Sequence, residues 1–323
     1  MSENKMKYGI SLYSFANSFH TRRLDLEGCL KKAKELGAEG ITIVAAQHCD
    51  EYPFPSDAWL YRLRDLMGKY DLEPVCWEGY LDVGMRSDRD LNEDEIAEYT
   101  RNDIVYAHKA GFKMMKTQHS ISPKIFESMR PFCEKLNVKL CIEMHWPHTP
   151  LVPVWRDHYF KIMEKSDGWL GVNPDMSIFQ KFPHGLHIRQ AYEAGCDKDK
   201  IEAVLQLMRE GKPESEIHKL DLSSEELKYA EEFYHKNYGN PDPSLLEPML
   251  KYTHMIHGKF YYLDDDKTDP CIPYEEIMPI IKKSGYDGYI IAEYEGHHFS
   301  ITEDDDVQLT RYHNLVKRLY EEA

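Results

Sequence analysis

The feature that most constrains this chain is a regular alternation of short β-rich runs with longer segments of helical periodicity. The first run is KYGISLYSF, Lys7 to Phe15. The following LDLEGCLKKAKELG repeats apolar residues at helical spacing and ends on Gly37, which suits a helix C-terminus. Glu39 to Val44 is the next strand, followed by a helix around Ala58 to Tyr70 and a third strand in LEPVCWEGYLD. A helix from about Asn92 to Gly111 leads to a strand at Lys113 to His119, and a helix from Pro123 to Leu136 leads to Val138 to His145. Trp169 to Asp175, His254 to Leu263 and Asp287 to Glu295 complete the set, and a helix from Asp305 to Glu322 ends the chain. Strands separated by helices predict a parallel sheet, and eight of them predict a closed (β/α)8 TIM barrel over residues 1–323 as a single α/β domain.

One connection is too long for that plan. Between Asp175 and His254 lie almost eighty residues where a single helix would suffice. Residues 176–240 therefore read as a helical insertion, with KIEAVLQLMREGK and SSEELKYAEEFYHKNYGNPDP as its helices. An insertion on a βα connection emerges at the catalytic face of a barrel. It could serve as a lid, an interface for a partner chain, an entrance for substrate, or decoration. Its apolar residues Tyr192, Leu205, Leu207, Met208, Phe233, Tyr234 and Tyr238 need burial, on the barrel or against another chain.

Charge narrows the partners. With 40 basic against 56 acidic residues the net charge is −16, which repels phosphate backbones and anionic lipid. Nucleic acid and membrane surfaces are therefore not expected partners. There is no secretory leader pattern at the N-terminus and no run of apolar residues long enough to span a membrane. Seven cysteines, an odd number without a CxxC pair, point to a reducing compartment, and the expected location is the cytoplasm. Cys76 and Cys141 sit in apolar runs and read as core residues.

Barrel chemistry collects at the C-terminal ends of strands. Strand five ends Glu143-Met144-His145, and alternation points Glu143 and His145 inward together. Strand six ends in Asp175, strand seven carries His257, and strand eight ends Ala292-Glu293-Tyr294-Glu295. Each residue has a structural alternative: Glu143 could pair with an arginine, Asp175 could cap a helix, His257 could be a core histidine and Glu293 a rim carboxylate. Taken together, three carboxylates and an imidazole at one mouth would repel and resist desolvation unless a cation joined them. We therefore expect Glu143, Asp175, His257 and Glu293 to hold a divalent metal. An oxygen-rich set with one imidazole suits Mn²⁺ or Mg²⁺, with Co²⁺, Fe²⁺ or Zn²⁺ also compatible; Mn²⁺ is the expectation.

Tyr13, Gln47, Glu78, Gln118 and His119 are candidate substrate contacts from the first four strands, with Ser11, His48 and Lys116 as weaker ones. The His145/His148 spacing could suggest zinc, but Pro147 between them breaks helical geometry. The pair His297-His298 reads as rim. Neither a phosphate-binding glycine loop with its lysine nor a GxSxG nucleophile motif is present.

The segments KKAKELGAEGITIV, CIEMH, GVNPD, HGK and SGYDGYIIAEYEG resemble the xylose-isomerase-like barrels, which include sugar isomerases and epimerases, inosose dehydratases and an endonuclease. The resemblance spans the chain outside the insertion. It implies the same four metal positions. Many members carry a histidine three residues beyond the strand-six aspartate; here that position is Ile178, which speaks against the endonuclease and against direct transfer of the epimerase substrate site. His145 and the long insertion most resemble the α subunit of bacterial C-glycoside deglycosidases. That resemblance implies a hetero-oligomer with a small β-rich β subunit and a glycoside substrate, a 3-oxo-C-glucoside with a flavonoid-type aglycone.

A carbon–carbon glycosidic bond has no leaving oxygen to protonate, so the paired-carboxylate route of O-glycosidases does not apply. In a 3-keto sugar the proton on C2 becomes acidic when a metal polarises the ketone. Removing it allows elimination of the aglycone carbon. An imidazole titrates near neutrality, so His145 suits acid/base duty, with Glu143 and Glu293 as further catalytic carboxylates. Isomerisation, epimerisation or dehydration of a ketose or inosose begins with the same step and is the alternative activity. A catalytically silent binding subunit is a third reading, disfavoured because all four metal positions carry competent ligands.

Overall fold

The computed structural model describes residues 5–118, 121–235 and 242–323. Eight parallel strands run β1 Lys7–Ser11, β2 Gly40–Val44, β3 Glu73–Glu78, β4 Met114–Thr117, β5 Lys139–Met144, β6 Leu170–Pro174, β7 Met255–Phe260 and β8 Tyr289–Tyr294. Each pairs with its sequence neighbour, and β1 also pairs with β8. Between β6 and β7 the ladder is reduced to two isolated bridges, Val172 with Thr253 and Asp175 with His257, so the barrel is nearly closed. The (β/α)8 architecture expected from the alternation is present.

The helices begin and end where local chemistry directs. The helix Glu93–Ala110 opens on a reciprocal box, in which Asn92 accepts from the Glu95 backbone and Glu95 accepts from that of Asn92. It closes on Gly111 at φ 89°, a conformation a side chain would strain. The single helix expected from Pro123 to Leu136 is two, Pro123–Ser128 and Arg130–Leu136, each with a proline in its first turn. A proline there lacks only an N–H that would go unused within the helix, so a second start is stable at Arg130. The first strand is shorter than the run Lys7 to Phe15, because the chain turns into a 3₁₀ helix at Leu12–Phe15.

Strand alternation sorts the barrel interior into layers. Cys76, Met114, Cys141, Met255 and Ile291 form part of one buried apolar cluster. Two residues further along the same strands stand Glu78, Lys116, Glu143, His257 and Glu293, all buried. The apolar layer is thus a floor beneath a polar one, and all seven cysteines are free and buried, Cys76 and Cys141 within that floor. Gly258 faces the other way: a Cβ there would stand 2.0 Å from the Tyr312 hydroxyl, so a glycine lets the helix Asp305–Glu322 lie close on β7.

Between β6 and β7 the helices Gly185–Glu193, Lys198–Arg209 and Ser224–His235 build the insertion. Most of its apolar residues satisfy one another. Leu205, Phe233 and Tyr234 are buried in a separate small core, with Tyr192, Leu207 and Met208 packed on it; Tyr238 lies outside the described residues. The insertion therefore does not need a second chain to bury them. It is tied to the barrel by Arg189 to Glu303 at 2.7 Å and by Gln190, which donates to the Phe299 carbonyl. Among the described residues no helix is long and apolar enough to cross a membrane.

Candidate metal centre and active site

Glu143, Asp175, His257 and Glu293 are all buried, and each offers one ligand atom within 4.8 Å of the others. Register explains the convergence. Glu143 is the penultimate residue of β5, Asp175 follows β6 and bridges to His257 on β7, and Glu293 ends the inward row of β8. Asp175 also caps a helical turn, since its Oδ1 accepts from the Ser177 backbone at 2.7 Å. Its other oxygen, Oδ2, is buried and faces Lys259 Nζ at 3.3 Å, while His257 Nδ1 stands 2.8 Å from Glu143 Oε1 and 3.2 Å from Glu293 Oε2. The capping oxygen accounts for the structural reading of Asp175 and leaves Oδ2 available as a ligand atom.

This convergence of ligand atoms suits a divalent ion. Two ligand atoms on opposite sides of a small divalent cation, at ~2.1 Å each, stand about 4.2 Å apart, close to the span of the cluster. The four side chains could hold such an ion. No ligand-field preference among the candidate metals is expressed by three carboxylates and one imidazole alone.

Two lysines stand inside the cluster. Glu78 and Lys116 are direct partners in the β3–β4 register, and the Lys116 ammonium lies 2.9 Å from Glu78 and 3.0 Å from Glu143. Lys259 and Glu293 are direct partners between β7 and β8. The Lys259 ammonium is 2.9 Å from Glu293, 2.9 Å from Glu295 and 3.3 Å from Asp175. Both lysines are buried. Lys259 was not singled out in the sequence, although it sits two residues after His257 and must share its face. The rule that places Glu143 with His145 would have found it.

Charge balance sets the protonation states. Burial pushes the Glu143 carboxyl upward, but Lys116 and then His257 outweigh it and hold it well below the usual carboxylate range. Glu78, similarly buried and facing Lys116, is held down to about 2, and Glu293 is lowered against its burial by His257 and Lys259. Asp175 is the exception, raised because burial outweighs the pull of Lys259. His257 is raised well above the ordinary histidine value; burial opposes this, while Glu293 and Glu78 impose it. Without a metal the ring therefore carries a proton that a coordinating imidazole must give up.

A cavity of about 380 Å³ opens above the cluster. Tyr13, Gln47, Glu78 and Gln118 line it, together with Glu143, His145 and Glu293; His119 lies outside the described residues. Glu78 is less a rim contact than a buried partner, bound to Thr42 Oγ1 and Lys116. Tyr13 is on the helical turn rather than the strand, and its hydroxyl lies 2.6 Å from His298 Nε2 and 3.3 Å from Glu295. His298 and Glu295 thus belong to the wall, where the sequence showed only a rim pair. Ser11 reaches Glu78 from below, and His48 turns its Nδ1 to the Val44 carbonyl. Ile178 is buried among apolar neighbours.

His145 is half-exposed, with Nδ1 2.8 Å from the Trp146 carbonyl and Nε2 4.0 Å from Asp175 Oδ2. A carbonyl only accepts, so Nδ1 carries the hydrogen and Nε2 keeps its lone pair in the neutral ring. His148 accepts instead from Trp155 Nε1 at 3.0 Å, which separates the two histidines in role.

A family profile described as xylose isomerase-like TIM barrel matches residues 30–313. The chain belongs to that family. Among its relatives, the 3'-dehydrocarminate deglycosidase alpha subunit of a Microbacterium species is 26% identical, across 98% of this chain and 96% of its own. The C-glycoside deglycosidase alpha subunit of Arthrobacter globiformis is 29% identical, across 92% and 86%. Among solved structures, an L-ribulose 3-epimerase aligns with a TM-score of 0.60 at 10% identity, covering 98% of this chain and 95% of that one. A D-psicose 3-epimerase aligns at 0.55 and 12% identity, covering 98% and 99%. These two show the shared fold of the family.

Proposed function

We propose that this family member is the α subunit of a metal-dependent C-glycoside deglycosidase, a carbon–carbon lyase acting on 3-oxo-C-glucosides. The observation that carries the reading is the buried four-ligand cluster with a histidine base at its edge, in a chain similar along nearly its whole length to alpha subunits so named. A small β-rich β subunit would complete the enzyme as a hetero-oligomer. The free, buried cysteines favour work in the cytoplasm.

Glu143, Asp175, His257 and Glu293 would hold the ion, for which Mn²⁺ is our assignment, and the chemistry it supplies when bound is polarisation of the C3 ketone. His145 Nε2 takes the C2 proton, and the C2–H electron pair enters the carbonyl system as an enolate. When that pair returns to form the C1–C2 double bond, the C1–aglycone bond breaks and its electrons leave with the aglycone carbon. The imidazolium of His145 then returns its proton to that carbon, so atoms and charge balance. Asp175 Oδ2 lies 4.0 Å from His145 Nε2. Lys116 and Lys259 keep Glu143 and Glu293 ionised and fixed.

The test is to purify the chain with and without a co-encoded small subunit and assay both on 3-oxo-C-glucosides and on free ketoses. Release of aglycone, dependent on metal and on the partner, is expected. Turnover of free ketoses with no aglycone release from any 3-oxo-C-glucoside would replace this reading with a sugar isomerase or epimerase.

A further inference from the structure

Beside the cavity over the metal ligands lies a second one of about 220 Å³, and the two share His145, Glu295 and His298 as a common wall. Their linings differ. The first is ringed by carboxylates and lysines. The second is bordered by Trp146, Tyr261 and Phe299, with His184, Ser177 and Gln180 contributed by the insertion. The His184 ring stacks on Tyr261 at 4.4 Å and 12°, and Phe299 meets it edge-on at 4.2 Å. The wall is thus a fixed aromatic surface rather than a set of loose side chains.

Two polar atoms break its apolar character. Gln180 is fully buried; its Nε2 donates to the Phe182 carbonyl at 2.8 Å, while its Oε1 has no hydrogen-bond partner. Ser177 Oγ, also buried, has none either. A buried acceptor left unpaired costs about 1–3 kcal/mol, so two beside one cavity call for a partner from outside the chain. An aromatic border with an orphaned carbonyl-type acceptor matches a flat aromatic ring that carries a hydroxyl donor.

We infer that this second cavity is the subsite for a hydroxylated aromatic aglycone, with Gln180 accepting from its phenolic hydroxyl and Trp146 packing against its ring. The inference rests on the deglycosidase reading and extends it. The sugar occupies the polar cavity, the aglycone occupies the aromatic one, and the bond between them lies where the two cavities adjoin, beside His145. The insertion then has a definite task, because Ser177, Gln180 and His184 all lie on its first segment. It selects the aglycone while the barrel performs the chemistry.

The test uses 5,7-dihydroxyflavone and its 5,7-dimethoxy analogue, titrated by calorimetry into the metal-loaded full-length protein in complex with its co-encoded small subunit, with turnover of the matching 3-oxo-C-glucosylflavones measured alongside. Wild type should bind the dihydroxy compound roughly 5-fold more tightly, the worth of one hydrogen bond. Gln180→Leu should abolish that preference, and Trp146→Ala should weaken both ligands by about tenfold. In turnover the same variants should raise KM while kcat stays near wild type. Ser177→Ala, which removes only a hydroxyl, provides a second reading if Gln180→Leu does not fold. Equal binding of both flavones by wild type, or variants indistinguishable from it, would overturn the inference even if deglycosylation is observed. Conversely, variant-sensitive flavone binding without any deglycosylation would uphold the subsite and remove the activity.

Discussion

Replacing Lys259 by methionine removes one ammonium from a site where three carboxylates converge on it. The side chain is 2% exposed, and Glu293, Glu295 and Asp175 all lie within 3.3 Å of Nζ. Methionine matches its length, so packing changes little and the loss is one of charge. Removing one partner of a buried ion pair typically costs 3–5 kcal/mol, because the remaining charge stays buried without compensation. At an unfolding entropy of roughly 2 cal/mol/K per residue, a chain of this size shifts about 1.5 °C per kcal/mol. The metal-free variant should therefore melt about 4–7 °C below wild type. A divalent ion on the neighbouring ligands restores positive charge, so the gap should narrow when Mn²⁺ replaces chelator, and the variant should gain more from the ion than wild type does. Lys69→Met, which breaks an exposed pair with Glu27, should leave the melting temperature nearly unchanged and serves as the comparison. The measurement is thermal unfolding by circular dichroism in chelator and in Mn²⁺. A Lys259→Met protein as stable as wild type in chelator would refute the argument that this ammonium holds the carboxylates together.

Three further outcomes follow from the same geometry. Metal analysis of wild type should find about one equivalent of divalent ion per chain, and Glu143→Ala should lose most of it; full retention would exclude Glu143 as a ligand. His145→Ala should keep its metal while kcat falls by roughly 10²–10⁴-fold, and loss of the ion along with activity would make His145 a ligand instead. Asp103, buried beneath Trp77 Nε1 and the Tyr52 hydroxyl, is raised by burial to about 7, so the folded state holds its proton more tightly than the unfolded state does. Its contribution is favourable below the unfolded pKa near 4 and is lost as pH rises toward 7, on the order of 4 kcal/mol in all. Asp103→Asn should consequently gain on wild type between pH 5 and 8 in chemical denaturation, whereas parallel stability curves would show that Asp103 does not titrate in that window.

The sequence by itself determined the barrel and five of its polar positions. Both follow from periodicity: alternation within a strand is a local property, so Glu143 and His145 were bound to share a face, with Asp175 at the end of strand six, His257 within strand seven and Glu293 near the end of strand eight. Local rules do not specify which residues of different strands stand side by side. Only the tertiary register decided that Lys116 would face Glu78 and that Lys259 would face Glu293, which turns a cluster of acids into a charge-balanced site. The barrel's near-closure between β6 and β7 decided that Asp175 would bridge to His257 while its second oxygen faced Lys259. The insertion shows the same division. Its helices were legible from their spacing, but its separate core and the placing of Ser177, Gln180 and His184 beside the site depend on contacts between residues far apart in the chain. Such contacts form only when the whole barrel closes, because the free energy that fixes them comes from packing and charge pairing across elements rather than from any segment's own preference.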